Sequence, residues 1–258
     1  MSARVWWVAA LVLVVAAAAA CGDTKSGPNT PLSIQFNPPQ LPSMIVGDHL
    51  HDTLGNIDSL HATVFNSAGD TIPDASVRYQ HADTSKVVNI DPATGHATAN
   101  DTGFARIVAQ TSGLQSPPET LFVVSRPDSL FNITALNDTL VFTSVRTDTL
   151  FALSVKLTAA EIPVDHWRIE YRFIYPAGLN DQDSTRVLLS DENRKFSLVD
   201  TTGVGISGVP GASTRFLRVS AFAHPFDDTV VVEARAFYPD HTVVPGSPLR
   251  FKVLVNIP

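Results

Sequence analysis

Thr94-Gly95-His96-Ala97-Thr98-Ala99 and, just after it, Thr102-Gly103-Phe104-Ala105-Arg106-Ile107-Val108-Ala109 decide the fold of this chain. Ala97 and Ala99 alternate around Thr98, and Ala105, Ile107 and Ala109 alternate around Arg106. A period of two puts small or apolar side chains on one face of a strand and polar ones on the other. Thr94-Gly95 is a turn signal, so Val87–Ile90 and Ala97–Ala99 are expected to pair as a hairpin. The same alternation recurs in Leu60-Ala62-Val64, in Trp167-Ile169-Tyr171-Phe173 against Arg168, Glu170 and Arg172, and in Val230-Val232-Ala234-Ala236 against Glu233 and Arg235. No long 3.6-residue period competes with it. The chain reads as all-β, with short strands and turns at Gly69, Gly103, Gly113 and Pro245-Gly246.

The bulk properties agree. The chain has 258 residues, 44% of them hydrophobic, with 18 Lys+Arg against 25 Asp+Glu and a formal charge of −7. That is enough apolar material for one or two packed domains. No basic run favours nucleic acid as a partner. The single cysteine, Cys21, allows no intramolecular disulfide and no cysteine-based zinc site.

That cysteine sits in a telling place. Arg4 is the only charge before a run from Val5 to Ala20, and the run ends Ala18-Ala19-Ala20-Cys21-Gly22. The segment resembles a bacterial lipoprotein signal peptide with its lipobox, Ala18 standing where leucine is common. The resemblance implies cleavage before Cys21, a diacylglycerol on its sulfur and a membrane as partner through that lipid. Two or more acyl chains anchor stably, at about 0.8 kcal/mol per buried CH₂. Gly22 in place of an inner-membrane-retaining Asp favours the outer membrane of a bacterial cell envelope.

Residues 44–125 carry a second resemblance, in a matching run that begins at Leu60. Leu60-His-Ala-Thr-Val64, Ala68-Gly-Asp-Thr-Ile-Pro-Asp-Ala-Ser-Val77, Tyr79, Asp83–Asp91 and the two stretches quoted first are similar to the bacterial Ig-like domains of the invasin/intimin type, group 2. Tyr79 stands where that family often has tryptophan. The family implies a β-sandwich and leaves the function open. The expected organisation is a signal peptide at 1–20, lipidated Cys21 with a Pro-rich tether over 21–43, an Ig-like sandwich at 44–126 and a second one at 127–258. Ile34 and Phe36 alternate inside the tether and mark a candidate edge strand. The surplus length of the second domain is placed in 176–213, where Gly203–Gly208 reads as a loop or hairpin turn. Ser125-Arg126-Pro127 is a short join that allows limited bending.

Chemistry is sparse. Asp48, His49, His51, Asp52 and His61 form the densest set of ligand types, so His49 and His51 are the metal candidates, zinc being the ion they suit. A polar loop before the strand at Leu60 explains the same residues without metal. Asp followed by Ser or Thr and then Leu recurs at Asp52, Asp58, Asp128, Asp138 and Asp148, which reads as turn initiation. Asp181/Asp183 and Asp227/Asp228 read as turns too. There is no Gly-x-Ser-x-Gly elbow, and Gly203–Gly208 lacks the Lys-Ser/Thr of a phosphate loop. His166, His224 and His241 near strand ends read as surface residues. No catalytic residue and no cofactor is expected. The leading expectation is a structural, adhesive or protein-binding envelope protein, with a protein or surface polymer as partner. A carbohydrate-binding protein, using an exposed Trp167 or Tyr175, is the alternative, and a metal-dependent hydrolase built on His49 and His51 is the third.

Overall fold

The computed structural model describes residues 27, 29–141, 148–175, 187–203, 209–220 and 228–256. Every regular element among them is a strand. The first domain holds β1 (Ser33–Asn37), β2 (Met44–Ile45), β3 (His61–Phe65), β4 (Arg78–His81), β5 (Val88–Ile90), β6 (Ala97–Ala99), β7 (Gly103–Thr111), β8 (Leu114–Gln115) and β9 (Glu119–Val124). The order β2-β9-β7-β4 makes its main sheet, and the pairs β1-β3 and β5-β6 complete the layers. The expected hairpin forms, with Val88 opposite Ala99 and Ile90 opposite Ala97. Gly95 turns it at φ +74, and an added Cβ would lie 2.8 Å from the Leu60 carbonyl oxygen. A larger residue is therefore both strained and crowded there.

The inward faces meet in one apolar cluster that includes Ile34, Phe36, Val64, Tyr79, Val88, Ile107, Leu121 and Val123. Tyr79 meets Phe36 edge-on, with ring centroids 5.9 Å apart. Ile34 and Phe36 belong to β1, which pairs antiparallel with β3. This corrects the tether: Ser33–Asn37 is a strand, so residues 33–43 are not a free spacer. Pro38 and Pro39 come after β1 ends, so they interrupt no ladder bond of that strand.

The second domain holds β10 (Ser129–Asn132), β11 (Asn137–Val141), β12 (Asp148–Ala159), β13 (Ile162–Pro163), β14 (Arg168–Tyr175), β15 (Val187–Ser190), β16 (Val199–Thr201), β17 (Ala212–Ser220), β18 (Asp228–Ala236) and β19 (Leu249–Asn256). One sheet runs β10-β12-β17-β15 and the other β11-β19-β18-β14-β16. Each sheet has five strands, β13 pairing with β12 beside the first path, and two such sheets face to face are the layer plan of an Ig-type sandwich. The segment 176–213, where the surplus length is placed, contributes β15 to one sheet and β16 to the other where it is described. Residues 176–186 and 204–208, with Asp181, Asp183 and most of the Gly203–Gly208 string, lie outside the described residues, as do Asp227, His224 and the whole of 1–26 with Cys21.

Between the sheets, Leu153, Leu157 and Leu217 pack against Ile169, Tyr171, Val232 and Phe251. Tyr171 spans the core. Its hydroxyl lies 3.1 Å from the Ser213 carbonyl oxygen, to which it donates, and 3.0 Å from the Ser213 hydroxyl. Burial holds this phenol far above its ordinary value, so it remains a neutral donor.

Leu217 is fully buried, while Leu254 on the outer face is 46% exposed. Leu217→Ala is expected to cost about 2–5 kcal/mol in urea denaturation. Leu254→Ala is expected to stay within about 0.5 kcal/mol of wild type. Equal losses would contradict the assignment of faces.

Candidate functional site

The two sandwiches meet through side chains as well as through the linker. Arg126 lies with its guanidinium 3.8 Å from the centre of the Tyr238 ring, a cation–π contact. The Tyr238 hydroxyl donates to the Pro127 carbonyl oxygen. Phe122 of β9 stacks on His166 with ring centroids 3.5 Å apart and planes 9° from parallel. Ile45 of β2 joins the apolar cluster of the second domain. Gly55, at φ +85, approaches so closely that an added Cβ would lie 2.3 Å from the Pro239 carbonyl oxygen. Only glycine fits that contact without movement.

A cleft of about 270 Å³ opens at this joint. Asp52 and Thr53 line it from the first domain, and Arg168, Glu170, Phe237 and His241 line it from the second. Arg168 and Glu170 pair at 2.9 Å. The Asn56 side-chain amide, with backbone N–H groups of Asn56, Leu54 and Gly55, holds the Asp52 carboxyl below its ordinary range. The cleft thus carries a carboxylate on each side, one guanidinium and the aromatic side chains of Trp167, Phe237 and Tyr238.

Arg168 and Glu170 stand on the outward face of β14, and two residues on that face carries Arg172. Cross-strand register places Arg172 opposite Glu233, and Glu233 opposite Arg250. Glu233 is 0% exposed although it points away from the core side of β18. Its Oε1 accepts from Arg172, at 3.1 Å from Nε and 3.0 Å from Nη2, and from Arg235 Nε. Its Oε2 accepts from Arg250 Nε at 2.9 Å. Three guanidiniums roof one carboxylate. A carboxylate out of water needs such partners, because an unpaired one costs several kcal/mol.

The metal candidates do not converge. His49 Nδ1 lies 3.1 Å from the Thr98 hydroxyl. His51 sets Nδ1 3.1 Å from the Gly55 carbonyl oxygen and Nε2 3.1 Å from Asp48 Oδ1. His61 donates from Nε2 to Asp58 Oδ1 at 2.9 Å. Among the described residues no three His, Cys, Asp or Glu side chains form a metal-sized group. The recurrent aspartates do not share one role: Asp52 Oδ1 caps a turn by accepting from the N–H of Leu54 and Asn56, and Asp58 accepts from Ser59, but Asp138 and Asp148 lie within strands β11 and β12, and Asp128 accepts from the distant Ala160 N–H.

Trp167 is 5% exposed and meets Tyr238 edge-on, so it is a core residue and no open sugar platform. Tyr175 is 44% exposed. His166 is half-buried against Phe122 at the joint, His241 is exposed at the rim of the cleft as expected of a surface residue, and both have positive φ, +58 and +62. No sequence signal marks them, since the joint is made by residues far apart in the chain.

No family model matches the chain, and no curated protein matches it. Among solved structures, the chain is similar to the adhesin InvE of Yersinia pseudotuberculosis at 15% identity, over 91% of this chain and 62% of that one, with a TM-score of 0.35. Domains 4–9 of the surface layer protein SbsC align at 9% identity, over 88% of this chain and 31% of that one, with a TM-score of 0.31. The human desmocollin-1 ectodomain aligns at 12% identity, over 88% and 42%, with a TM-score of 0.29. The chain is thus shorter than each of the three. The sandwich assignment rests on the strand order and register given above.

Burial lowers the His166 imidazole below its ordinary value, against an opposing pull from Asp165. A base whose folded value is depressed takes up protons in the unfolded chain first. Stability therefore falls as pH drops below about 6.5 toward the folded value. The wild-type melting temperature should fall more between pH 7.5 and pH 5.5 than that of His166→Asn, a residue that tolerates positive φ. Identical pH slopes in the two proteins would contradict the buried stacking.

Proposed function

We propose that the protein is a lipid-anchored cell-envelope protein whose two Ig-like sandwiches serve a structural, adhesive or protein-binding role. The observation that carries this reading is the position of the only cysteine. Cys21 follows the uncharged run directly, and the first strand among the described residues starts at Ser33, twelve residues later. Fully extended, that spacer reaches at most about 40 Å. The folded part would therefore stand close to the membrane that holds the lipid, with the second sandwich beyond the first.

The work of such a molecule is to hold position and present surface. The joint suits it: a short linker, two ring contacts and one close backbone approach fix how the sandwiches are displayed together. The carbohydrate alternative loses Trp167 as a stacking platform, since that ring is buried against Tyr238. The hydrolase alternative has no gathered His49/His51 ligand set to build on.

The anchor is tested by fractionating cells that make the wild-type chain or Cys21→Ser. Wild type is expected in the membrane fraction with a mass that includes a diacylglyceryl group. Cys21→Ser is expected to lose that mass and the processing that follows it. Full retention of membrane binding and of mature size in Cys21→Ser would overturn the lipid anchor.

A further inference from the structure

We propose that the outer face of the sheet β11-β19-β18-β14-β16 binds an acidic polysaccharide, through the guanidinium groups that Glu233 holds in place. The charge of this face runs against that of the chain. Residues 127–258 hold more acids than bases, and the whole chain carries −7. Yet the outward positions of β14, β18 and β19 bring together Arg168, Arg172, Arg235, Arg250 and Lys252 against Glu170 and Glu233 alone. Register, not sequence proximity, builds this patch.

Its construction points to an external anion. Glu233 is fully buried under the arginines, so it is already neutralised and repels little. Each guanidinium has five N–H donors, and the Glu233 oxygens occupy one or two on each of Arg172, Arg235 and Arg250. The Arg172 and Arg250 side chains remain 48% and 65% exposed. Neighbouring strands lie about 4.8 Å apart, so these two arginines flank Glu233 with backbones roughly 10 Å apart. Side chains that are held in place lose less freedom on binding, and guanidinium forks match carboxylate, sulfate and phosphate groups.

The neighbourhood selects the form of the anion. The arginine row continues through Arg168 and Glu170 into the cleft at the joint, where Asp52 and Thr53 also stand. Carboxylates in that position would be repelled by a broad anionic membrane. They accept hydrogen bonds from sugar hydroxyls. A slender chain that carries both acidic groups and hydroxyls meets the row and the cleft while avoiding the acidic remainder, which salt screens beyond about 8 Å. The inference rests on the binding role proposed above and not on the lipid: fractionation tests Cys21, and the titration below tests the face.

The test titrates the full-length chain in mild detergent with dextran sulfate, with neutral dextran of the same length and with phosphatidylglycerol vesicles. Dextran sulfate is expected to bind, and to weaken at least about tenfold between 50 and 200 mM salt. Neutral dextran is expected not to bind. Arg172→Gln/Arg250→Gln should weaken dextran sulfate at least tenfold, while Arg78→Gln/Arg106→Gln on the first sandwich should change it less than twofold. Arg172→Lys/Arg250→Lys keeps the charge and loses the fork, so it should bind detectably more weakly than wild type. That pair decides the question if the Gln pair fails to fold. The proposal is overturned if dextran sulfate does not bind, if the two Gln pairs lose equally, or if the Lys pair binds like wild type. Vesicles binding with the same arginine dependence would also overturn it, by placing a membrane on this face.

Discussion

Every sheet here has one dry face, and the chain has one cysteine, so apolar packing between faces must close both cores without a covalent staple. The second sandwich shows how. Leu153, Leu157 and Leu217 enter from one sheet and Ile169, Tyr171, Val232 and Phe251 from the other. Each buried aliphatic side chain contributes roughly 1.5–3 kcal/mol relative to an exposed one. Tyr171 adds a polar tie, since its hydroxyl reaches Ser213 on the opposite sheet. Because the inner faces do this work, the outer faces and the ends of the sandwiches are left for recognition.

The same alternation that dries one face sets the chemistry of the other. Val230, Val232, Ala234 and Ala236 fill the core, so Glu233 and Arg235 must face outward. Arg172 and Arg250 arrive beside Glu233 because β14 and β19 pair with β18 in one register. A slip of one residue in either strand would turn its arginine into the core and leave the carboxylate short of partners. Core packing and outer charge thus enforce the same register. At the end of the sandwich, β14 carries Arg168 and Glu170 into the joint, so core, charged face and cleft are one continuous construction.

Much of this is legible in the residues. The hairpin β5–β6, the strand β18 and the core roles of Trp167, Ile169 and Tyr171 follow from period-two patterning and turn residues. Three things do not. Strand β1 lies among prolines, and only its pairing with β3 reveals that Ile34 and Phe36 are core. Strands β15 and β16 are short and sit between Asp-, Ser- and Gly-rich stretches, where turn signals outweigh a three- or four-residue strand. The joint and the Glu233 cluster are missed because both depend on long-range register and domain contact. His49 and His51 lie close in the sequence, yet the fold gives them separate hydrogen bonds, His49 with Thr98 and His51 with Gly55 and Asp48.

The central claim is that the two sandwiches are held in one pose, so that the cleft and the arginine face form a single surface. Spin labels on Asp70→Cys and Glu192→Cys in a Cys21→Ser background place one probe on an exposed position of each domain. Pulsed dipolar spectroscopy then reads the distance between them. A single narrow distribution, unchanged when salt is raised, is the predicted result. A broad or multimodal distribution would contradict the account, because sandwiches that swing about Ser125–Pro127 cannot share a surface.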